Sequence, residues 1–206
     1  MTSTDLKDRW GGLLKRPWVS KIHRNCLDGF KIQGLGKILG DLKFDSVLDV
    51  CCGLGEFKEL AKGRYVGLDN SLPRIGYAKQ KYEQCHFFVG DARRLPIKDH
   101  SFDLVMMVDT SHHLCDDELG FVLGELGRVS KKYIVISDPI VTDNQSRLST
   151  FFYSLDRGAN FRAEVQMKRV VAKAYNLQLM EVVQFKTFPG LYVHAAFILT
   201  KAENSR

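Results

Sequence analysis

Short apolar runs at residues 47–50, 65–68, 87–89, 104–108 and 133–137 alternate with segments long enough for helices. Runs of three to five apolar residues suit strands buried on both faces, and their alternation with helices predicts βαβ units around a parallel sheet. Near the end, residues 179–185 and 192–199 flank Phe188-Pro189-Gly190. That turn signal is short enough to join neighbouring strands as an antiparallel hairpin. The expectation is an α/β chain with seven strands, mostly parallel with an antiparallel last strand, and helices on both faces.

The 206 residues are 45% hydrophobic, which is enough to fill the core of such a sheet. The longest apolar run, residues 195–199, falls far short of the roughly 20 residues that span a bilayer. With a charged N-terminus interrupted by Gly and Pro, the chain reads as soluble and cytoplasmic, without a secretory signal. Five cysteines lack any CxxC pairing, so free thiols in a reducing compartment are expected rather than bridges or a metal centre.

The net charge of +6 is unevenly placed: residues 1–43 hold nine Lys or Arg against four Asp, and the rest is nearly balanced. A nucleic-acid binder usually spreads its basic face over the core, so this appendage argues against that class. The chain divides into an N-terminal appendage, 1–43, and a main domain, 44–206. Trp10 and Trp18 sit among the basic residues, with Gly11, Gly12 and Pro17 breaking any continuous helix. From about 19 to 39 the apolar residues recur at helical spacing, weakened by Gly29, Gly34 and Gly36.

Residues 47–55, VLDVCCGLG, run from a strand into a glycine turn that lets a backbone approach a ligand closely. Twenty residues beyond Asp49, the second run ends in Asp69, where a carboxylate can accept from ribose hydroxyls. The third run ends in Gly90-Asp91-Ala92, with an acid suited to an exocyclic amine. Three acids at successive strand ends predict a nucleoside pocket.

These segments, together with GDARRLPIKDHSFDLVMMVDTSHHLCDDE and ELGRVSKKYIVISDP, resemble the class I S-adenosylmethionine-dependent methyltransferases, in particular their small-molecule, type 11-like branch. The resemblance covers about residues 44–139. It implies a Rossmann-like fold and S-adenosyl-L-methionine as cofactor. Gly53 and Gly55 would line the methionine part, with Asp49 directed toward its amino group. Asp69 would hold the ribose diol, and Asp91 with Ala92 would read the adenine. Val108 and Asp109 would border the sulfonium and the acceptor. Cys51 stands where the family's turn has its first glycine, and Asn70 where an apolar residue covers the adenine; both departures would weaken binding rather than abolish it.

Methyl transfer is an in-line displacement, and an oxygen nucleophile also needs its proton removed. His112 and His113 follow the Asp109 strand end, and one of them is the candidate base; the competing reading has them cap the loop. Asp138 closes the fifth strand and would face the acceptor. Residues 149–162 mix aromatics, among them Tyr153, with Arg157 and Arg162, and do not read as a plain amphipathic helix. In the resembling family such insertions build the acceptor pocket, where Arg157 and Arg162 would clamp a carboxylate or phosphate. The appendage would close over the cofactor as a lid; contact with a membrane surface ranks second and RNA third.

The resulting expectation is methylation of a small molecule, most readily at oxygen. The alternatives are a catalytically silent nucleoside-binding protein, a methyltransferase acting on RNA or a membrane lipid, and a nicotinamide-dependent oxidoreductase, which the missing GxGxxG disfavours.

Overall fold

The computed structural model describes residues 31–155, 160–174, 176–187 and 192–202. A helix, α1, covers residues 31–40. It is followed by β1 (Ser46–Val50), a 3-10 turn (Glu56–Leu60), β2 (Arg64–Asp69), α2 (Leu72–Lys81), β3 (His86–Val89) and β4 (Phe102–Val108). A second 3-10 turn (Ser111–His113) leads into α3 (Asp116–Val129) and β5 (Ser130–Val141). The remainder is α4 (Arg147–Leu155), β6 (Arg162–Ala163), α5 (Glu164–Lys173), β7 (Leu177–Lys186) and β8 (Val193–Lys201).

The strand order is β3-β2-β1-β4-β5-β8-β7, with β6 paired to β5 off this path. Strands β1 to β5 pair in parallel, and β8 runs antiparallel to both β5 and β7. The seven expected strands are therefore present, with the expected antiparallel last strand. The addition is β6, whose two residues leave no periodic pattern to read.

Strands β1 and β4 are buried along their whole length, because helices cover both sheet faces. Alternation sends Leu48, Val50, Val105 and Met107 to one face, where they meet Leu119, Leu123 and Leu126 of α3 and Met167 and Val171 of α5. Val47, Leu104 and Met106 face the other way, against Leu35, Ile38 and Leu39 of α1 and Ile75 of α2. Leu119, Val122, Leu123, Leu126 and Val129 of α3 recur at three- and four-residue intervals and are fully buried, each contributing on the order of 2 kcal/mol, while Phe121 on the opposite face is exposed. Asp116, Asp117 and Glu118 in its first turn suit the positive end of the helix dipole.

Two local features depart from the sequence reading. Gly34 weakens α1 on propensity, yet a Cβ there would lie 2.6 Å from the Phe185 ring, so the missing side chain admits the close approach of α1 to β7. The stretch after β5 begins as a regular helix, α4, started by Ser146: its hydroxyl accepts the Ser149 N–H at 3.1 Å and its carbonyl the Thr150 N–H at 2.9 Å. Trp10, Trp18, Arg157 and the expected Phe188-Pro189-Gly190 turn lie outside the described residues. Among the described residues no helix is long and apolar enough to cross a membrane.

Candidate active site

Strand β1 is hydrogen-bonded to β2 on one side and β4 on the other, and the connections leaving β1 and β4 diverge. In such sheets a crevice opens at the carboxyl edge of this switch point. Cys51, Gly53 and Gly55 all adopt left-handed backbone there, with φ of 63°, 57° and 79°. The turn is pinned by the Cys52 N–H donating to the Leu68 carbonyl at 2.9 Å and the Gly55 N–H to the Cys52 carbonyl at 2.9 Å.

A cavity of about 610 Å³ occupies this edge. Cys51, Gly53, Asp69, Asn70, Asp91, Ala92, Val108, Asp109 and His113, all expected from the sequence, line it together. Buried Asp69 braces the cavity floor: one carboxylate oxygen accepts the Gly53 N–H at 3.0 Å and the other the Ser71 N–H at 2.9 Å. Asp91 is exposed and gripped by Arg93, whose side chain reaches both oxygens at 2.8–3.2 Å. Hydrogen bonds from Arg93 hold the Asp91 carboxyl below its ordinary value, and a further donor must share those oxygens. Burial pushes the Cys51 thiol up to about 12, so it stays protonated.

Asp49 and Gly55 stand behind this wall. Strand alternation turns Asp49 to the same face as Val47, into the core under α1 and α2, where the Tyr65 hydroxyl donates to it at 2.5 Å. Burial pushes its carboxyl up to about 7, with the Tyr65 hydrogen bond opposing. Asp49 therefore supports the turn from beneath rather than facing a ligand. Gly55 serves the turn itself, since a Cβ on it would meet Phe87 at 3.0 Å.

At the β4 end, Asp109 holds left-handed backbone at φ 50°. One carboxylate oxygen accepts from the Lys31 ammonium of α1, the other from the His194 Nε2 of β8 at 2.9 Å. Burial would raise its pKa, but the Lys31 charge and the His194 hydrogen bond prevail and hold the carboxyl well below the usual carboxylate range. Sequence reasoning missed both partners. Lys31 is one of several cations in the basic stretch, and His194 reaches Asp109 only through the β5–β8 register that sets it opposite Pro139.

The two adjacent histidines separate in role. His112 is buried; its Nδ1 lies 2.7 Å from Asp138, and its backbone N–H donates to the same carboxylate at 2.7 Å. A carboxylate can only accept, so Nδ1 carries the proton. The Ser111 hydroxyl also donates to Asp138. The His112 ring stacks on Phe161 at 4.8 Å, while His113 lines the cavity beside it, ring centroids 4.1 Å apart.

Three residues expected to face the acceptor are committed elsewhere. Asp138 is 4% exposed and holds the Ser111–His112 turn. The Tyr153 hydroxyl donates to the Ile140 carbonyl at 2.8 Å, and its ring packs against Phe161 and Tyr192, off the cavity lining. Arg162 is buried and ties the histidine loop to β6: its guanidinium donates to the carbonyls of Ser111 at 2.9 Å, Leu114 at 2.8 Å and Asn160 at 3.2 Å, and to Asp116 at 2.7 Å. With its donors turned inward, it is not the ligand clamp the sequence suggests. Among the described residues the cavity thus offers two acids at the β2 and β3 ends, an anchored ion pair at the β4 end, and the imidazole of His113.

Comparison with known proteins agrees with this arrangement. Residues 47–133 match the family model described as a methyltransferase domain. A malonyl-[acyl-carrier protein] O-methyltransferase of Hamiltonella defensa is 26% identical over 79% of this chain and 64% of its own length. A demethylmenaquinone methyltransferase of Thermotoga maritima is 31% identical over 53% of this chain and 50% of its own. The chain therefore spans less than two thirds of each of these relatives. The fold is shared with the magnesium protoporphyrin IX methyltransferase of Synechocystis, determined with SAH bound, at a TM-score of 0.69, 20% identity and coverage of 97% and 95%. The matched segment, the strand order and the acids at the strand ends are in accord: residues 47–133 match a methyltransferase domain, set in the strand order of the shared fold.

Proposed function

We propose that the protein transfers a methyl group from S-adenosylmethionine to an oxygen of a small-molecule acceptor. The observation that carries this reading is a single cavity lined at once by Asp69, Asp91 and the glycine turn on one side and by Asp109 and His113 on the other. The residues present fit the cofactor: the buried carboxylate of Asp69 suits a ribose diol, Ala92 and Asn70 border the adenine side, and Gly53 keeps the turn free of a side chain. When bound, the cofactor supplies an electrophilic methyl on a positively charged sulfur.

The remaining work falls to the chain. His113, accessible from the cavity, takes the proton of the acceptor hydroxyl, and a positioned base of this kind contributes about 10²- to 10⁴-fold. His112 and Asp138 hold the turn that presents it, and Phe161 stacks on the His112 ring that lies against it. Positioning of the two reactants contributes the larger share. Preference for oxygen is supported by the relative named for O-methylation and by the imidazoles that follow β4.

Calorimetric titration with S-adenosylmethionine, S-adenosylhomocysteine and NADH tests the cofactor. Binding of the first two alone, lost in Asp69→Ala, supports the reading. Binding of NADH alone refutes it, and binding of the adenosyl ligands without turnover on any oxygen acceptor favours a silent nucleoside-binding protein.

A further inference from the structure

Among the described residues, Lys31 is the cation at the acceptor end of the cavity. Along the sheet edge the order of carboxylates is Asp91, Asp69, Asp109, following strands β3, β2 and β4. Arg93 grips Asp91, and Arg74 lies 3.8 Å from Asp69, so both arginines belong to the nucleoside side. Glu56 is also on the cavity wall and accepts the Leu54 N–H of the turn at 3.2 Å. At the β4 end the charged or titratable groups lining the cavity among the described residues are Lys31, Asp109 and His113, with His194 behind Asp109.

The Lys31 side chain is 11% exposed although it lines the cavity. A buried ion pair is weak support for stability, because an apolar side chain of similar volume often packs as well or better. Apolar neighbours are at hand, since Leu35 of the same helix is fully buried in the core under α1. A desolvated ammonium held in place makes a different contribution: it attracts negative charge developing on a nearby oxygen without reorganising. Asp109 fixes that ammonium, and His194 fixes Asp109.

We propose that Lys31 holds the nucleophilic oxygen of the acceptor in its ionised form, so that acceptors are acidic oxygen compounds such as phenols, enols or carboxylic acids. The inference rests on the methyl-transfer reading above. The acceptor O–H bond breaks with its proton going to His113. The oxyanion pairs with Lys31, its lone pair forms the O–CH₃ bond, and the S–CH₃ bond breaks with its electron pair returning to sulfur, which becomes neutral. His194 acts through Asp109 and is a positioning residue.

The test uses binding alone. Protein saturated with S-adenosylhomocysteine is titrated with 4-nitrophenol over pH, and the visible absorbance of the phenolate is followed. A cation within a few ångströms lowers the apparent pKa of the bound phenol by about one unit or more. That shift disappears in Lys31→Met and survives in Lys31→Arg. It shrinks in His194→Ala and is restored in His194→Gln, which keeps a donor for Asp109. Thermal midpoints of all variants serve as the folding control. A wild-type protein that binds S-adenosylhomocysteine but leaves the phenol unshifted overturns the proposal, as does an unchanged shift in a folded Lys31→Met. Failure of the wild type to bind S-adenosylhomocysteine overturns the methyl-transfer reading and this inference with it.

Discussion

Replacing Arg162 with Met keeps most of the aliphatic stem and removes the guanidinium that ties the His112–His113 loop to β6. Three carbonyls, of Ser111, Leu114 and Asn160, lose a charged donor in a site where Arg162 is 8% exposed. Hydrogen bonds to charged groups contribute about 1.5–3 kcal/mol each. The Asp116 carboxylate is 67% exposed, so water replaces its partner and that pair adds at most about 1 kcal/mol. After partial relaxation of the loop, a loss of about 3–5 kcal/mol is expected, the range for removing one partner of a buried charged network. For a chain of this size each kcal/mol lowers the midpoint by about 2–4 °C, so Arg162→Met should melt about 10 °C below wild type. Circular dichroism during heating measures that loss, and a kinetic comparison below the transition should show reduced kcat with little change in acceptor KM. A midpoint within about a degree of wild type, with KM for an anionic acceptor raised tenfold or more, would refute this and restore Arg162 as a substrate clamp.

Further outcomes follow from the same geometry. Asp69→Ala removes the acceptor for the Gly53 and Ser71 N–H groups and should weaken S-adenosylhomocysteine binding by about 10- to 100-fold in calorimetry. His113→Ala should lower kcat by about 10²- to 10⁴-fold with the melting midpoint nearly unchanged, whereas His112→Ala should lower the midpoint by several degrees, because it deprives buried Asp138 of a donor. Asp49 has its pKa raised to about 7 in the folded chain by burial, so the native state keeps a proton that the unfolded state releases near pH 4. Its contribution is fully present below that lower value and is lost as pH rises through about 7. Asp49→Asn should flatten this part of the curve of melting midpoint against pH, and an unaltered slope would show that Asp49 is not its source.

The sheet was legible because burial on both faces forces β1, β2 and β4 to be written in β-branched and long aliphatic residues. The placement of Asp69 and Asp91 on one cavity wall was legible for a related reason: they follow strands whose direction the runs themselves reveal. At the acceptor end, prediction from local pattern stops. His194 sits in an apolar strand with nothing nearby to mark it, and only pairing with β5 carries it to Asp109. At Arg162 a sequence shows the donor but not the carbonyls folded around it, and so suggests a ligand contact. Asp138 and Asp49 stand near apparent strand ends in the sequence, yet β5 runs on to Val141 and Asp49 pairs with Gly67, and each is enclosed by neighbours that only the packed helices and loops define.

The antiparallel placement of β8 has a consequence for how the molecule is made. Residues 193–201 form the last strand to be synthesised in the sheet, yet they insert between β5 and β7 instead of adding to an edge. A nascent chain arrested before residue 193 can assemble β1 to β5 but leaves the long border of β5 unpaired and Asp109 without His194. Pairing of β8 thus closes the border of β5 and brings His194 to Asp109 together, so a chain cut before residue 193 is expected to expose that border rather than merely lose an edge strand.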